Sequence, residues 1–327
     1  MKEDVMSDCK IPFTCELCEK QLSCQLDQIE HNKWAIVQRM KDIKYKIVVM
    51  SNKGGVGKST VTTNLGVTLA RMGNKVGIAD ADIHGPNIPI MLGAEGRRLK
   101  SCSDGVLPLE VLPNLKVASL SFLIENPSMP VIWRDAAKWD FLCELMGSVC
   151  WGDLDYLLVD LPPGTGNEAI SIIELIGKVD GSVIVTTPQE VVLLDVRKAV
   201  VFSRDSNVPI IGIVENMSGL ICPHCNTRID VFKTEGGEKI CSELGVDFLG
   251  RIPLEPRITE KCDAGEAFVS ACPDSDAAKA FEEIVKKCEI FVRTRRDELD
   301  KIAEFREVPF LGKIPVDPNF IEENPII

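Results

Sequence analysis

Ser51-Asn52-Lys53-Gly54-Gly55-Val56-Gly57-Lys58-Ser59-Thr60 is the stretch that decides the fold. Ile47-Val48-Val49-Met50 precedes it, an apolar run that reads as a buried parallel strand. Val61 to Arg71 follows, with apolar residues at helical spacing. Strand, glycine loop and helix are the context that a phosphate-binding loop requires. Gly54, Gly55 and Gly57 let backbone N–H groups turn toward phosphate oxygens without Cβ clashes, and Val56 and Thr60 belong to the same cradle. The helix N-terminus adds partial positive charge. In this pattern Lys58 reaches the β- and γ-phosphates, and the Ser59 hydroxyl ligates Mg²⁺.

Outward from the loop, Lys75 to Ala79 reads as a second strand, ending in Asp80-Ala81-Asp82-Ile83-His84. Carboxylates at the carboxyl end of a strand sit where α/β sheets bind ligands. Asp82 is the candidate to orient an attacking water and Asp80 the candidate to act through Mg²⁺-bound water. The alternative for both is capping and turn chemistry. His84 reads as a satisfied loop histidine. Asp155 to Asp160 is a third apolar strand, and its terminal Asp160 would hold Mg²⁺ through water. Pro162-Pro163-Gly164-Thr165-Gly166 is a stiff turn with two flexible points, suited to sensing a γ-phosphate. The two acidic strand ends together argue for nucleotide hydrolysis.

Further strands are expected at 116–120, 182–187 and 209–214, and within 246–256. Helices are expected at 29–45, 133–147, 188–204 and 274–306. The strand at 209–214 delivers Asn216, an amide able to pair with the adenine edge. The fold class expected is α/β, a mostly parallel sheet flanked by helices. Residues 93–130 are rich in Gly, Pro and Ser and carry the strand at 116–120.

The 327 residues carry a formal net charge of −12 and a pI near 4.9, which disfavours a basic nucleic-acid surface. No apolar run reaches the roughly 18 residues of a membrane span. Met1-Lys2-Glu3-Asp4 opens no signal-peptide core, so a cytoplasmic location is expected. In that compartment the 13 cysteines should be thiols or metal ligands rather than disulfides. Cys9, Cys15, Cys18 and Cys24 fall in residues 1–30, and four thiolates so close suit a tetrahedral zinc ion or a four-iron cluster. Cys222-Pro223-His224-Cys225 lies in a loop between Leu220 and Phe232. It offers two thiolates where a tetrahedral site needs four, and a symmetric dimer would complete the set. His224 reads as a bystander, and a redox dithiol or a knuckle turn is the alternative for the pair. Cys102, Cys143 and Cys150 read as packing residues, and Cys241, Cys262, Cys272 and Cys288 lie on or beside helices and are not expected to be ligands. The tail repeats itself: Phe310 to Pro318 echoes Phe248 to Pro256.

Lys53 to Thr60 resembles the deviant Walker A loop of the partition, septum-site, nitrogenase-iron-protein and Mrp-type ATPases. Asn52 replaces the first glycine of the general pattern, and the added Lys53 implies a dimer, because in that group it reaches the partner subunit's nucleotide. With Asp80 to Pro86, Asp160 to Gly166, Glu215 to Ser218 and Cys222 to Cys225, residues 45 to 290 resemble the Mrp/ApbC family of iron–sulfur cluster carrier ATPases. The N-terminal cysteines resemble the extension of its cytosolic nucleotide-binding-protein scaffold branch. Cys15, Cys18 and Cys24 match that branch's spacing, whereas Cys9 lies closer to Cys15 than its pattern puts it. Arg134-Asp135 also departs from the usual Arg-Gly-Pro.

The resemblance implies ATP and Mg²⁺ as cofactors. It also implies a homodimer through the CxxC loop and the P-loop face, a [4Fe-4S] cluster bridged by Cys222 and Cys225, and apo iron–sulfur proteins as recipients. Nucleic acid and membrane are not expected partners. Three parts are expected: a cysteine-rich extension at 1–30, an ATPase domain at 31–290 and a tail at 291–327. Competing readings are a partitioning or positioning ATPase, an electron-transfer ATPase like the nitrogenase iron protein, and a zinc-stabilised interaction protein.

Overall fold

The computed structural model describes residues 28–102, 105–123, 135–222, 225, 227–232 and 236–306. Cys9, Cys15, Cys18, Cys24, His224 and the tail repeat at 310–318 lie outside the described residues.

The chain opens with α1 (Gln28–Lys41) and β1 (Ile43–Met50). The expected linking helix at 29–45 therefore stops early, and β1 starts four residues before the apolar run. Ile43 and Tyr45 pair in register with Leu154 and Tyr156, so a neighbouring strand captures this segment. The buried Lys46 ammonium donates to the carbonyls of Met40 and Ile43, closing the turn between helix and strand.

Then come α2 (Lys58–Arg71), β2 (Val76–Asp80) and a single turn, α3 (Ile88–Met91). The Gly/Pro/Ser-rich region holds more strand than its sequence advertises. It contains β3 (Lys100–Cys102), β4 (Gly105–Leu107) and β5 (Leu109–Leu112) before β6 (Leu115–Ser119). Next are α4 (Asp135–Gly147), β7 (Leu154–Asp160), α5 (Asn167–Ile176), β8 (Gly181–Thr186), α6 (Glu190–Asp205) and β9 (Ile210–Glu215). A small hairpin, β10 (Leu220–Ile221) and β11 (Arg228–Ile229), leads to α7 (Gly236–Leu244) and β12 (Phe248–Arg251). Helices α8 (Pro256–Asp263), α9 (Phe268–Ala271) and α10 (Asp276–Arg306) close the described chain, and α10 runs unbroken across position 290.

Eight strands form one sheet in the order β12-β9-β8-β1-β7-β2-β6-β5, parallel except for β5 against β6. Strands β2 and β8 are buried at every position because helices cover both faces. On one face Ile36, Met146, Ile172, Val196 and Ile240 come from α1, α4, α5, α6 and α7. On the other, Leu65, Ile88, Phe268 and Phe281 come from α2, α3, α9 and α10. The outer strand β12 is met by Lys287, whose ammonium donates to the carbonyls of Phe248 and Leu249. No helix among the described residues is long and apolar enough to cross a membrane.

Candidate functional site

Parallel pairing brings the carboxyl ends of β1, β2, β7, β8 and β9 to one edge of the sheet, where open α/β sheets bind ligands. The loop after β1 lies there. Gly57 caps α2 at φ 82°, and a Cβ on it would sit 2.3 Å from the Asn216 amide nitrogen. Only glycine suits both the left-handed backbone and that close approach. A Cβ on Gly54 or Gly55 would meet no atom within 4 Å, so the loop faces open space.

Asp160, fully buried at the end of β7, is the hub of this edge. The Lys58 ammonium lies 2.6 Å from its Oδ2, and the Ser59 hydroxyl donates to the same oxygen at 2.6 Å. The Thr62 hydroxyl, one turn along α2, lies 2.6 Å from Oδ1. Lys58 also stands 3.6 Å from Asp82. Asp80 is buried at the end of β2 and accepts from the Ser119 hydroxyl at 3.0 Å. Burial, then the neighbouring Asp160, push the Asp80 carboxyl well above the ordinary range, with Lys58 and Ser119 pulling the other way. Asp82 is also raised, first by burial, although Lys58 opposes the shift. Three carboxylates thus share one ammonium, and the edge is short of positive charge.

The sequence-selected Lys58, Ser59, Asp80, Asp82 and Asp160 therefore come together. Thr62 joins them unannounced; its signal was helical spacing from Lys58 alone. Lys53 does not join them: it is exposed on the loop. Asn52 donates to Asp195 on α6 at 3.0 Å, anchoring the loop where the general pattern has glycine. The Gly164 N–H donates to the Ser51 carbonyl at 2.8 Å, joining the Pro-Pro-Gly turn to the start of the loop. Asn216, at the end of β9, holds the Val56 carbonyl through its amide nitrogen at 2.9 Å. The adenine edge expected for it is thus accompanied by a brace on the phosphate loop.

Six residues beyond Asn216, the β10–β11 hairpin carries the CxxC. Its root is fixed by Glu215, which is fully buried, accepts from Ser218 and the Gly237 N–H, and pairs with Arg251. The strands pair Leu220 with Ile229 and Ile221 with Arg228, and the Cys222 N–H donates to the Thr227 carbonyl at 3.0 Å. Cys222 is half-buried and Cys225 exposed. The Thr227 hydroxyl, 3.3 Å from the Cys225 sulfur, holds that thiol below its ordinary pKa, helped by the Thr227 backbone and Cys222. Cysteines inside the core behave oppositely. Burial pushes Cys143, Cys241 and Cys288 up to about 12, and Cys262 to about 11. The thiolate is the form that ligates metal, so the hairpin is where this edge offers it.

A family model described as ParA, the NUBPL iron-transfer P-loop NTPase, matches residues 42–289, a span holding both the phosphate loop and the hairpin. The chain is 46% identical over 279 residues to the iron-sulfur cluster carrier protein of Methanocaldococcus jannaschii, covering 85% of this chain and 93% of that one. It is 45% identical over 260 residues to the protein of the same name from Saccharolobus solfataricus, covering 80% and 88%. Among solved structures, the nucleotide-binding protein of Archaeoglobus fulgidus in complex with ADP has a TM-score of 0.67 at 35% identity, over 76% of this chain and 96% of that chain. The cell division ATPase MinD of Pyrococcus furiosus has a TM-score of 0.59 at 25% identity, over 75% and 98%. Loop, acidic strand ends, sheet order and these likenesses agree: the chain belongs to the ParA/NUBPL family of iron-transfer P-loop NTPases.

Proposed function

We propose that this chain is an ATP-dependent iron–sulfur cluster carrier. Two copies hold a [4Fe-4S] cluster between them through Cys222 and Cys225 of each, and nucleotide turnover governs its passage to apo iron–sulfur proteins. One observation carries the reading. Asn216 grips the phosphate loop at Val56, and the same short segment of chain presents the exposed Cys225 sulfur. A change in the loop has a covalent route of a few residues to the thiols. The carrier name of the 46%-identical relative supports the same reading. Soft thiolates suit iron–sulfur ligation, and two per chain leave a tetrahedral set for a twofold axis to complete. Ile229 and Val231, 46% and 47% exposed beside the cysteines, are apolar surface that a second copy would cover.

In this reading the backbone from Gly54 to Thr60 cradles the phosphates, and Lys58 leaves Asp160 for the β- and γ-phosphates. Asp82 orients the attacking water. Lys53, exposed on the loop, reaches the nucleotide held by the partner subunit. Asn216 keeps an amide oxygen and a second amide hydrogen for the adenine edge. Ser59 and Asp160 would hold Mg²⁺, with Asp80 acting through its water. The donor set fits that ion: its oxygens are hard, and its carboxylates exceed its one ammonium. Bound there, Mg²⁺ supplies neutralisation of phosphate charge.

The proposal extends to the whole chain: a second thiolate site at residues 1–30, the ATPase domain at 31–290 and the repeat-bearing tail at 291–327. A cytoplasmic protein without nucleic-acid or membrane affinity agrees with the net charge of −12. Isolation without oxygen, followed by iron, sulfide and mass measurement, tests the reading. About four irons and four sulfides per pair of chains are expected at the hairpin, once the N-terminal cysteines have been substituted by serine. Zinc without iron or sulfide overturns it.

A further inference from the structure

We propose that Cys102 and Cys150 form a redox-responsive dithiol, a modification site that closes to a disulfide on meeting a hydroperoxide. Sequence spacing leaves these two as separate packing residues, since 48 positions part them. The fold brings their sulfurs to 3.4 Å without a bond between them. A disulfide needs about 2.05 Å, so the sulfurs have little more than about 1 Å to close.

The approach is built by the backbone. Cys102 ends β3 opposite Gly105 in the β3–β4 hairpin. The Val106 N–H donates to the Ser148 carbonyl at 2.8 Å, and the Cys150 N–H donates back to the Val106 carbonyl at 2.8 Å. Gly105, at φ 138°, makes room: a Cβ there would stand 2.1 Å from the Ser148 oxygen and 3.3 Å from the Cys150 sulfur. Cys102 and Cys150 are half-buried, whereas Cys143, Cys241, Cys262 and Cys288 lie in the core. Paired accessible thiols in a reducing compartment serve transient redox chemistry rather than permanent bridging.

The step balances. One thiolate attacks the peroxide O–O bond, giving a sulfenic acid and releasing the alcohol, or water when the oxidant is hydrogen peroxide. The second thiolate attacks the sulfenic sulfur, the S–S bond forms and water leaves. Two thiols are oxidised by two electrons and the peroxide is reduced by two. The product ties the β3–β4 hairpin to the segment entering β7, the strand that ends in Asp160.

The test treats the full chain, prepared without oxygen, with hydrogen peroxide. Remaining thiols are then alkylated, and the chain is digested without reductant and mapped by mass. The expected product is a peptide pair joined through Cys102 and Cys150, lighter than the two thiols by two hydrogen atoms and separated again by dithiothreitol. Closing the long loop should also raise the melting temperature by a few degrees in the wild type and not in Cys102→Ser. Three outcomes overturn the proposal. They are separate alkylation at the two positions once Cys225 has been consumed, separate over-oxidation there, and linkage of either to another cysteine. The mapping uses the unaltered chain, so it stands even if a variant folds poorly.

Discussion

Asp160 carries a cation and two hydroxyls on its two oxygens, and in the proposed function Lys58 leaves it for the nucleotide. Lys58→Ala should abolish tight ATP binding, measured by calorimetry, and unchanged hydrolysis would remove Lys58 from the phosphates. The same substitution strands a fully buried carboxylate, so the nucleotide-free chain should lose about 3 kcal/mol in denaturant unfolding. At the other end of the site, Thr227 lowers the Cys225 pKa and so keeps more thiolate at a given pH. Thr227→Val should therefore move the midpoint of Cys225 alkylation to higher pH, read residue by residue by mass. A profile that stays in place would show that the hydroxyl does not stabilise the anion.

Strand β9 ends beside the phosphate loop, through Asn216, and continues into the hairpin that carries Cys222 and Cys225. Asn216→Ala removes one buried hydrogen bond to the phosphate loop, worth about 1 kcal/mol, and should weaken ATP binding roughly five- to tenfold. An unaffected affinity would leave the brace without a role. Elements ending at the site were readable in advance because each is an apolar run closed by a polar group: Met50 before Ser51, Val159 before Asp160, Val214 before Glu215. Strands β3, β4 and β5 were not readable. They span three or four residues with half-exposed positions, too short for alternation to speak. Thr62 stayed hidden among the helix's buried threonines, and the Cys102–Cys150 approach depends on long-range pairing that no local pattern encodes. Glu215 read as a strand end; its work in fixing the hairpin needed Gly237 and Arg251, which arrive later in the chain.

At the scale of the whole molecule, the sheet supplies an edge and the hairpin beside it presents two cysteines. Cys222→Ala should lose the bridged cluster and weaken association of two copies while the fold persists. Iron and sulfide content, light scattering and circular dichroism together read this. Full iron and sulfide in a variant chain whose N-terminal cysteines are also serine would place the cargo elsewhere. Such a chain must also avoid pairing edge to edge with copies of itself. An unshielded outer strand invites the backbone of a neighbour to zip onto it, and growth of that kind ends in fibrils. Lys287 spends its charge on two carbonyls of β12, so that rim is already answered from within. A strand of a second copy would have to displace that ammonium before it could pair there.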